Sequence, residues 1–359
     1  MTSKTKTFGI LLFIIVGQIA YGQTNKEKAL SKRQEAIKLM DSGKLDESIK
    51  LLEEAQELDA DRFDYPYELA YAHYSKEDYN GAIKILEKNI DHKDVTERLF
   101  QLLGNSYDVL GKSDKAFEAY DVGLKKFPNS GIIYLEKGNV HWSKKEYGKA
   151  LLFYEKGIEV DPKFPSNYYR ATRIYCGSTE EVWGLIYGEI FMNLERNSKR
   201  TSEISKLLFD TYKSGVTING DSAKIDFCNV VMNADDIIGK DKIKFPFCMV
   251  FGQAFILSII NIKAIDINSL DKIRTDFVEN YFKMGHNKTH PNLLIDYQNK
   301  VFKAGHLESY NHWILMKGDE DGFDKWQAIN KDKWDGFIKW FSDNGLKVDN
   351  TNKFFSGQY

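Results

Sequence analysis

Residues 97–130, ERLFQLLGNSYDVLGKSDKAFEAYDVGLKKFPNS, run directly into residues 131–164, GIIYLEKGNVHWSKKEYGKALLFYEKGIEVDPKF. Laid one over the other, the two stretches repeat Gly104, Tyr107, Ala116, Tyr120, Gly123 and Pro128 as Gly138, His141, Ala150, Tyr154, Gly157 and Pro162, a step of 34 residues. Within the set Tyr107 gives way to His141, and Gly111 has Lys145 in its place. A fixed period of this length is the mark of a stacked repeat, in which each unit buries its apolar face only against the next.

Counting back in the same step places earlier units at 29–62 and 63–96 and a degenerate one at 165–193. The eighth position then reads Ala36, Ala70, Gly104, Gly138, and the twentieth Ser48, Ala82, Ala116, Ala150. Small side chains at both columns let two helices approach closely, while Leu52, Leu86, Tyr120 and Tyr154 at a third column fill the space left. Turns are expected at 41–43, 76–78, 110–112 and 144–146, with Gly43 and Gly111 suited to a left-handed backbone. Pro128 and Pro162 close their units, whereas Asp91-His92-Lys93-Asp94 replaces that exit and predicts a looser join.

The period and its Gly, Ala, Tyr and Pro columns resemble the tetratricopeptide repeat (TPR), a helix-turn-helix unit. The resemblance implies an all-α fold: a TPR superhelix, or solenoid, over 29–193, continuing into a helical C-terminal region. It also implies a concave surface lined by set positions of each first helix: Tyr67, Tyr71 and Tyr74, then Arg98, Gln101, Asn105 and Asp108, then Leu135, Asn139 and Trp142, then Tyr169 and Arg173. Such a lining suits an extended peptide, whose amides pair with Asn while its side chains rest on rings. Asn105, Asn139 and Arg173 resemble part of the carboxylate clamp of some TPR domains, but Gln101 and Tyr169 stand where that clamp carries lysine. The opposing expectation is that C-terminal helices fold back and fill the groove. Residues 182–200 and 304–313 look similar to uncharacterised C-terminal regions of secreted bacterial TPR proteins, which implies no activity.

Beyond the repeats, a helix is predicted over 202–213, a loop or hairpin around Gly215 to Ala223, and a helix buried on all sides from Phe245 to Ile260. Asn268 is expected to cap the next helix, and further helices to cover 293–303, 307–316 and 323–343, the last broken near Asn330. Residues 194–345 thus read as a helical capping domain, which a repeat stack needs at its end, and 346–359 as a loose tail.

Lys4 and Lys6, the apolar run Phe8 to Val16, and Ala20-Tyr21-Gly22 read as an export signal over residues 1–22, cleaved after Gly22. The expected localisation is periplasmic or secreted, with no transmembrane segment in the mature chain, because the apolar run is shorter than a bilayer needs. The chain has 359 residues, 42% of them apolar, and 50 basic against 52 acidic residues. That balance lacks the basic excess of a nucleic-acid binder. Three cysteines, Cys176, Cys228 and Cys248, leave at least one thiol unpaired. Cys228 and Cys248 are spaced either to bridge neighbouring helices or to serve as small core side chains.

Signatures of catalytic chemistry are scarce. His73 and His141 read as packing residues between helices. His286-x-x-x-His290 is followed by Pro291, which disfavours the helix a metal pair would need, and no H-E-x-x-H, G-x-S-x-G, Walker A or G-x-G-x-x-G occurs. No cofactor or metal is expected. Glu53-Glu54 and Glu180-Glu181 read as a solvated face and a helix start. The expected function is a non-enzymatic protein-binding or peptide-binding scaffold of the bacterial envelope. The alternative is an enzyme or small-ligand sensor around Tyr281, His286, His306 and Trp313.

Overall fold

The computed structural model describes residues 24–219, 222–229 and 245–359. The export signal and the hairpin tip at Gly220-Asp221 lie outside them. The chain forms two compact units, the first running to Pro128 and the second from Asn129 to Tyr359.

Six helices make the first unit: α1 (24–41), α2 (Leu45–Leu58), α3 (Asp64–Ser75), α4 (Tyr79–Glu87), α5 (Glu97–Val109) and α6 (Ser113–Lys126). Helices α3 and α4, and α5 and α6, pack as pairs, each pair touching the next. Ala36, Leu52, Leu69 and Ala72 form one knot of its core, and Ala29, Ala55 and Tyr65 another.

The second unit begins in the same way, with α7 (Gly131–Ser143) on α8 (Tyr147–Val160) and α9 (Pro165–Tyr175) on α10 (Glu181–Leu194). Helix α11 (Lys199–Gly215) then packs on α10 and α9. An antiparallel hairpin follows, β1 (Val216–Asn219) with β2 (Ser222–Ile225), in the register Val216↔Ile225. The remaining helices are α12 (Phe247–Ser258), α13 (Ile267–Lys283), the single turn α14 (His286–Thr289), α15 (Leu293–Lys303), α16 (Leu307–Leu315), α17 (Glu320–Ile329) and α18 (Lys331–Asn344). Helix α13 lies at their centre, against α12, α15, α16 and α17, and one continuous apolar core extends from Ala150 to Phe354.

The turn within each pair recurs with the period of the sequence. Gly43, Glu77, Gly111 and Lys145 all adopt left-handed φ, between 59° and 76°. Around them the amides of Lys44, Asp78, Lys112 and Glu146 reach back to the carbonyls of Leu39, His73, Tyr107 and His141 at 2.9 to 3.0 Å, the bond that closes a helix C-terminus. Glycine announces this geometry at two of the four sites. At Glu77 and Lys145 the flanking helices impose it on an ordinary residue. His73 and His141, expected as packing residues, also face their own turns: each Nδ1 meets the carboxylate of the residue opening the next helix, Asp78 at 2.8 Å and Glu146 at 2.6 Å.

The small and bulky columns lock together. A Cβ on Gly104 would lie 2.1 Å from the Tyr120 ring, and one on Gly138 2.3 Å from the Tyr154 ring. Where the bulky column carries Leu52 or Leu86, the small column has room for Ala36 or Ala70, all four buried. The fifth pair inverts the arrangement, with Gly188 in the bulky column against Thr172 and, from α11, Ile204 and Leu208. Gly138→Ala is therefore expected to destabilise the protein by about 1–3 kcal/mol through overpacking. Adding Tyr154→Leu, which recreates the Ala70 and Leu86 combination, should recover most of that loss in urea melts. A double variant no more stable than Gly138→Ala would disprove the complementarity.

Three expectations change in the C-terminal region, and one left open is decided. Helix α12 is buried on one side only: Gln253, Ile256 and Leu257 face solvent. Helix α13 starts two residues earlier than expected, capped by Asp266, whose carboxylate accepts from the Ser269 amide at 2.7 Å while the Ser269 hydroxyl accepts from the Asp266 amide at 2.9 Å. Residues 346–359 are no loose tail, since Leu346, Val348 and Phe354 are buried in the core. Cys228 and Cys248 are joined in a disulfide, their Cα atoms 6.3 Å apart. The break in the last helix falls at Asn330, which separates α17 from α18.

Candidate protein-binding faces

In the second unit the first helices of successive pairs, α7 and α9, are followed by α11 in the place of a sixth. Two bonds between residues 34 apart set that register: Arg200 Nη1 donates to Ser166 Oγ at 3.0 Å, and the Tyr169 hydroxyl to Glu203 Oε2 at 2.6 Å. The repeat ladder thus reaches one helix further than its residue columns announced.

A cationic and aromatic strip runs across these helices. The guanidinium carbons of Arg170 and Arg173 lie 5.3 and 5.2 Å from the centre of the Trp142 ring. Arg173 also lies 5.5 Å from the Tyr169 ring, with Arg200 at 5.1 Å from the same ring. Stacking of this kind holds a guanidinium flat while leaving its N–H edges available. Arg200 commits those edges to Glu195, donating from Nε at 3.0 Å and from Nη2. Arg170 and Arg173 make no ion pair among the described residues, and Arg173 is exposed.

Other residues expected in the groove have structural duties here. Asn139 Oδ1 accepts from the Tyr154 hydroxyl at 3.1 Å, and its amide donates to Glu136 at 2.9 Å. Tyr169 is only 8% exposed. Burial, then its bond to Glu203, raises its hydroxyl pKa above the ordinary phenol value. Leu135 packs against the apolar core. Trp142 packs against the same core and is half-buried like Leu135, so Arg173 is the exposed member of the expected set here, with Trp142 and the half-buried Arg170 beside it. Arg170 lies one position beyond the expected lining column, so the column rule passed over it.

The first unit presents its own face. Tyr71 is 45% exposed, and Tyr74 meets Tyr79 edge to face at 5.2 Å. Tyr67 lines a cleft of about 550 Å³ with Arg33, Arg62, Glu68, Asp94, Glu97 and Arg98. Two of its arginines are paired, Arg33 with Glu68 at 2.8 Å and Arg62 with Asp64 at 2.7 Å, whereas Arg98 is exposed. Gln101 and Asp108 are half-buried on α5. Asn105 repeats the arrangement of Asn139, accepting from the Tyr120 hydroxyl at 2.5 Å. The expected clamp thus has the carbonyl oxygens of both asparagines committed to tyrosines of their own repeats.

The residues of the enzyme alternative serve the C-terminal packing. The Tyr281 hydroxyl donates to the His290 carbonyl at 2.5 Å, and its ring meets His286 at 5.5 Å. His306 packs at a tilt against Trp340 at 5.1 Å, and Trp313 likewise against Phe341 at 5.0 Å. Burial lowers the pKa of His286 and His306. Among the described residues no three His, Cys, Asp or Glu gather as metal ligands, and no helix is long and apolar enough to cross a membrane.

Family models of the tetratricopeptide repeat match residues 33–90 and 132–164. A segment of 101 residues is 30% identical to the human protein O-mannosyl-transferase TMTC1 and, over the same length, 28% identical to the mouse protein of that name; it makes up 27% of this chain. The chain spans 12% and 11% of the length of these curated relatives. Similar solved structures include Pseudomonas aeruginosa pilF, at 16% identity and TM-score 0.43, covering 53% of this chain and 86% of that one. The thermophilic TPR protein TTC0263 of Thermus thermophilus shares 14% identity at TM-score 0.42, covering 50% and 98%. YrrB, described as a TPR protein with an unusual peptide-binding site, shares 20% identity at TM-score 0.33, covering 50% and 92%.

Proposed function

Since this chain is a tetratricopeptide-repeat protein, we propose that it is a non-enzymatic scaffold that binds a protein or an extended peptide through the first helices of its repeats. The observation that carries the reading is the pair Arg170 and Arg173, stacked on Trp142 and without an acidic partner among the described residues. Two oriented guanidinium edges beside an indole favour a partner segment with carboxylates or exposed backbone carbonyls, flanked by apolar side chains. Tyr71, Tyr74 and Arg98 supply contacts of the same chemistry on the first unit. Nucleic acid is the less suitable partner, given 50 basic and 52 acidic residues.

The proposed location is the bacterial envelope or the medium. The signal-like residues 1–22 support it, as does the Cys228–Cys248 disulfide, which belongs to an oxidising compartment.

Charge reversal at both sites, Arg170→Glu with Arg173→Glu, is expected to weaken capture of the partner from envelope extract at least tenfold. The thermal midpoint should fall by only a few degrees (about 1–2 kcal/mol), since the change breaks no ion pair and removes only the ring contacts of the two guanidinium groups. Asn139→Ala is a poor probe, because it strips the buried Tyr154 hydroxyl of its acceptor. Cross-linking in the producing cell followed by mass spectrometry identifies the partner. An unchanged cross-linked set and affinity in the reversed variant would remove the strip from the binding site.

A further inference from the structure

Residues 353–359 lie in a trough on the second unit much as a bound peptide would. Helix α18 ends at Asn344, and a self-contained exposed turn follows, in which Asp349 Oδ1 accepts from the amides of Thr351 and Asn352 at 2.8 and 2.9 Å. Past that turn Phe354, 1% exposed, enters a box of Trp183, Tyr187 and Phe247, with ring centres 6.0, 5.8 and 6.4 Å away. Tyr359 packs on Phe247 at 4.8 Å and His290 at 5.7 Å, and its hydroxyl donates to the Pro291 carbonyl. Between these anchors the Ser356 amide donates to the Tyr187 hydroxyl and the Ser356 hydroxyl to Glu155, each at 2.7 Å.

The trough walls are held by bonds of their own. The hydroxyls of Tyr175 and Tyr187 donate to the two oxygens of Glu155, at 2.7 and 2.5 Å. Trp183 stacks on Phe247 at 5.1 Å, and His290 Nε2 donates to the Phe245 carbonyl at 2.7 Å. Receptor atoms are thus set by α8, α9, α10, α12 and the residues His290-Pro291 before α15, while the occupant is joined to the fold through a solvent-exposed turn. A pre-organised pocket with two aromatic anchors and a few directed hydrogen bonds is suited to taking a short peptide segment.

We infer that this trough is a peptide-binding site for a short segment that closes in a single 3-10 turn, with two aromatic side chains five residues apart and a hydroxyl-bearing residue between them. Residues 353–359 occupy it in cis as a competitor. The site is separate from the strip of Trp142, Arg170 and Arg173, and the inference stands without that reading. Tethering gives the cis segment an effective concentration in the ~mM range. An outside peptide therefore meets an affinity lowered by the small fraction of open trough.

The test uses the full chain carrying Phe354→Ser and Tyr359→Ser, and a fluorescent peptide of the sequence Thr351 to Tyr359 read by anisotropy. The anchor-free chain should bind this peptide at least tenfold more tightly than the unaltered chain does. Adding Trp183→Ala should abolish the gain, and a peptide with its aromatics replaced by Ser should not bind. Equal affinity for both chains, or equal binding of the aromatic-free peptide, would overturn the inference. If the anchor-free chain melts below the working temperature, hydrogen exchange in the unaltered chain decides. Exchange of the Ser356 amide well before the α10 amides supports an opening trough, and exchange only on global unfolding refutes it.

Discussion

Replacing Arg274 with Ala is expected to destabilise the second unit by about 3–5 kcal/mol, the cost of leaving its buried carboxylate partner unpaired. Arg274 on α13 is 3% exposed and Glu189 on α10 is 1% exposed. They meet at 2.8 Å, while Arg274 Nε donates to Asn311 at 2.8 Å and Nη1 to the Tyr212 hydroxyl at 2.9 Å. The second oxygen of Glu189 accepts from Gln298 at 2.7 Å. Burial works against the guanidinium charge, and Glu189, Tyr212 and Tyr310 more than restore it, so the Arg274 pKa lies above its ordinary value. The bonds join the last repeat helix to α11, α13, α15 and α16. A cycle of Arg274→Met, Glu189→Met and the double variant in urea separates pairing from burial: each single change should cost several kcal/mol, and the double much less than their sum. Additive losses would show that the two residues do not act as a pair.

That pair also shows where sequence reading ran out. Arg274 and Glu189 are separated by 85 residues, and each stands in an unremarkable helical pattern. The repeat was legible because its constraint is local and periodic: Gly104 and Gly138 must be small since Tyr120 and Tyr154 lie on them. At Glu77 and Lys145 the same left-handed turn forms without glycine, so its signal was the step of 34 residues rather than residue type. The step from Tyr169 to Glu203 carries the ladder into α11 as a hydrogen bond, not a shared residue, and identity columns miss it. On the binding face, position singled out Asn139 and Tyr169 together with Trp142 and Arg173. Only the bonds to Tyr154 and Glu203 reveal that the first two are occupied. Residues 346–359 have no periodicity, and the burial of Phe354 depends on a trough assembled from α8, α9, α10 and α12.

Reduction of the Cys228–Cys248 bridge is expected to lower stability by about 3 kcal/mol, the loop-closure contribution for cysteines separated by 20 residues. The bridge joins Cys228, in the segment that follows β2, to Cys248 on α12. There the Phe227 carbonyl accepts from the Val182 amide at 3.0 Å, and the Phe227 ring meets Phe255 at 5.0 Å. Cutting the bridge leaves those contacts, so the reduced chain should keep its helices at low temperature and melt earlier. A Cys228→Ser/Cys248→Ser variant should melt at the reduced temperature with or without dithiothreitol. Thiol counting provides a second readout. Burial pushes the Cys176 thiol up to about 12, so the native chain should not react with a thiol reagent at neutral pH, because the thiolate is the reactive form. Unfolded without reductant, the chain should expose a single thiol, and with reductant all three. Three thiols in unreduced material purified from the producing cell would remove the bridge and, with it, the main structural support for an oxidising compartment.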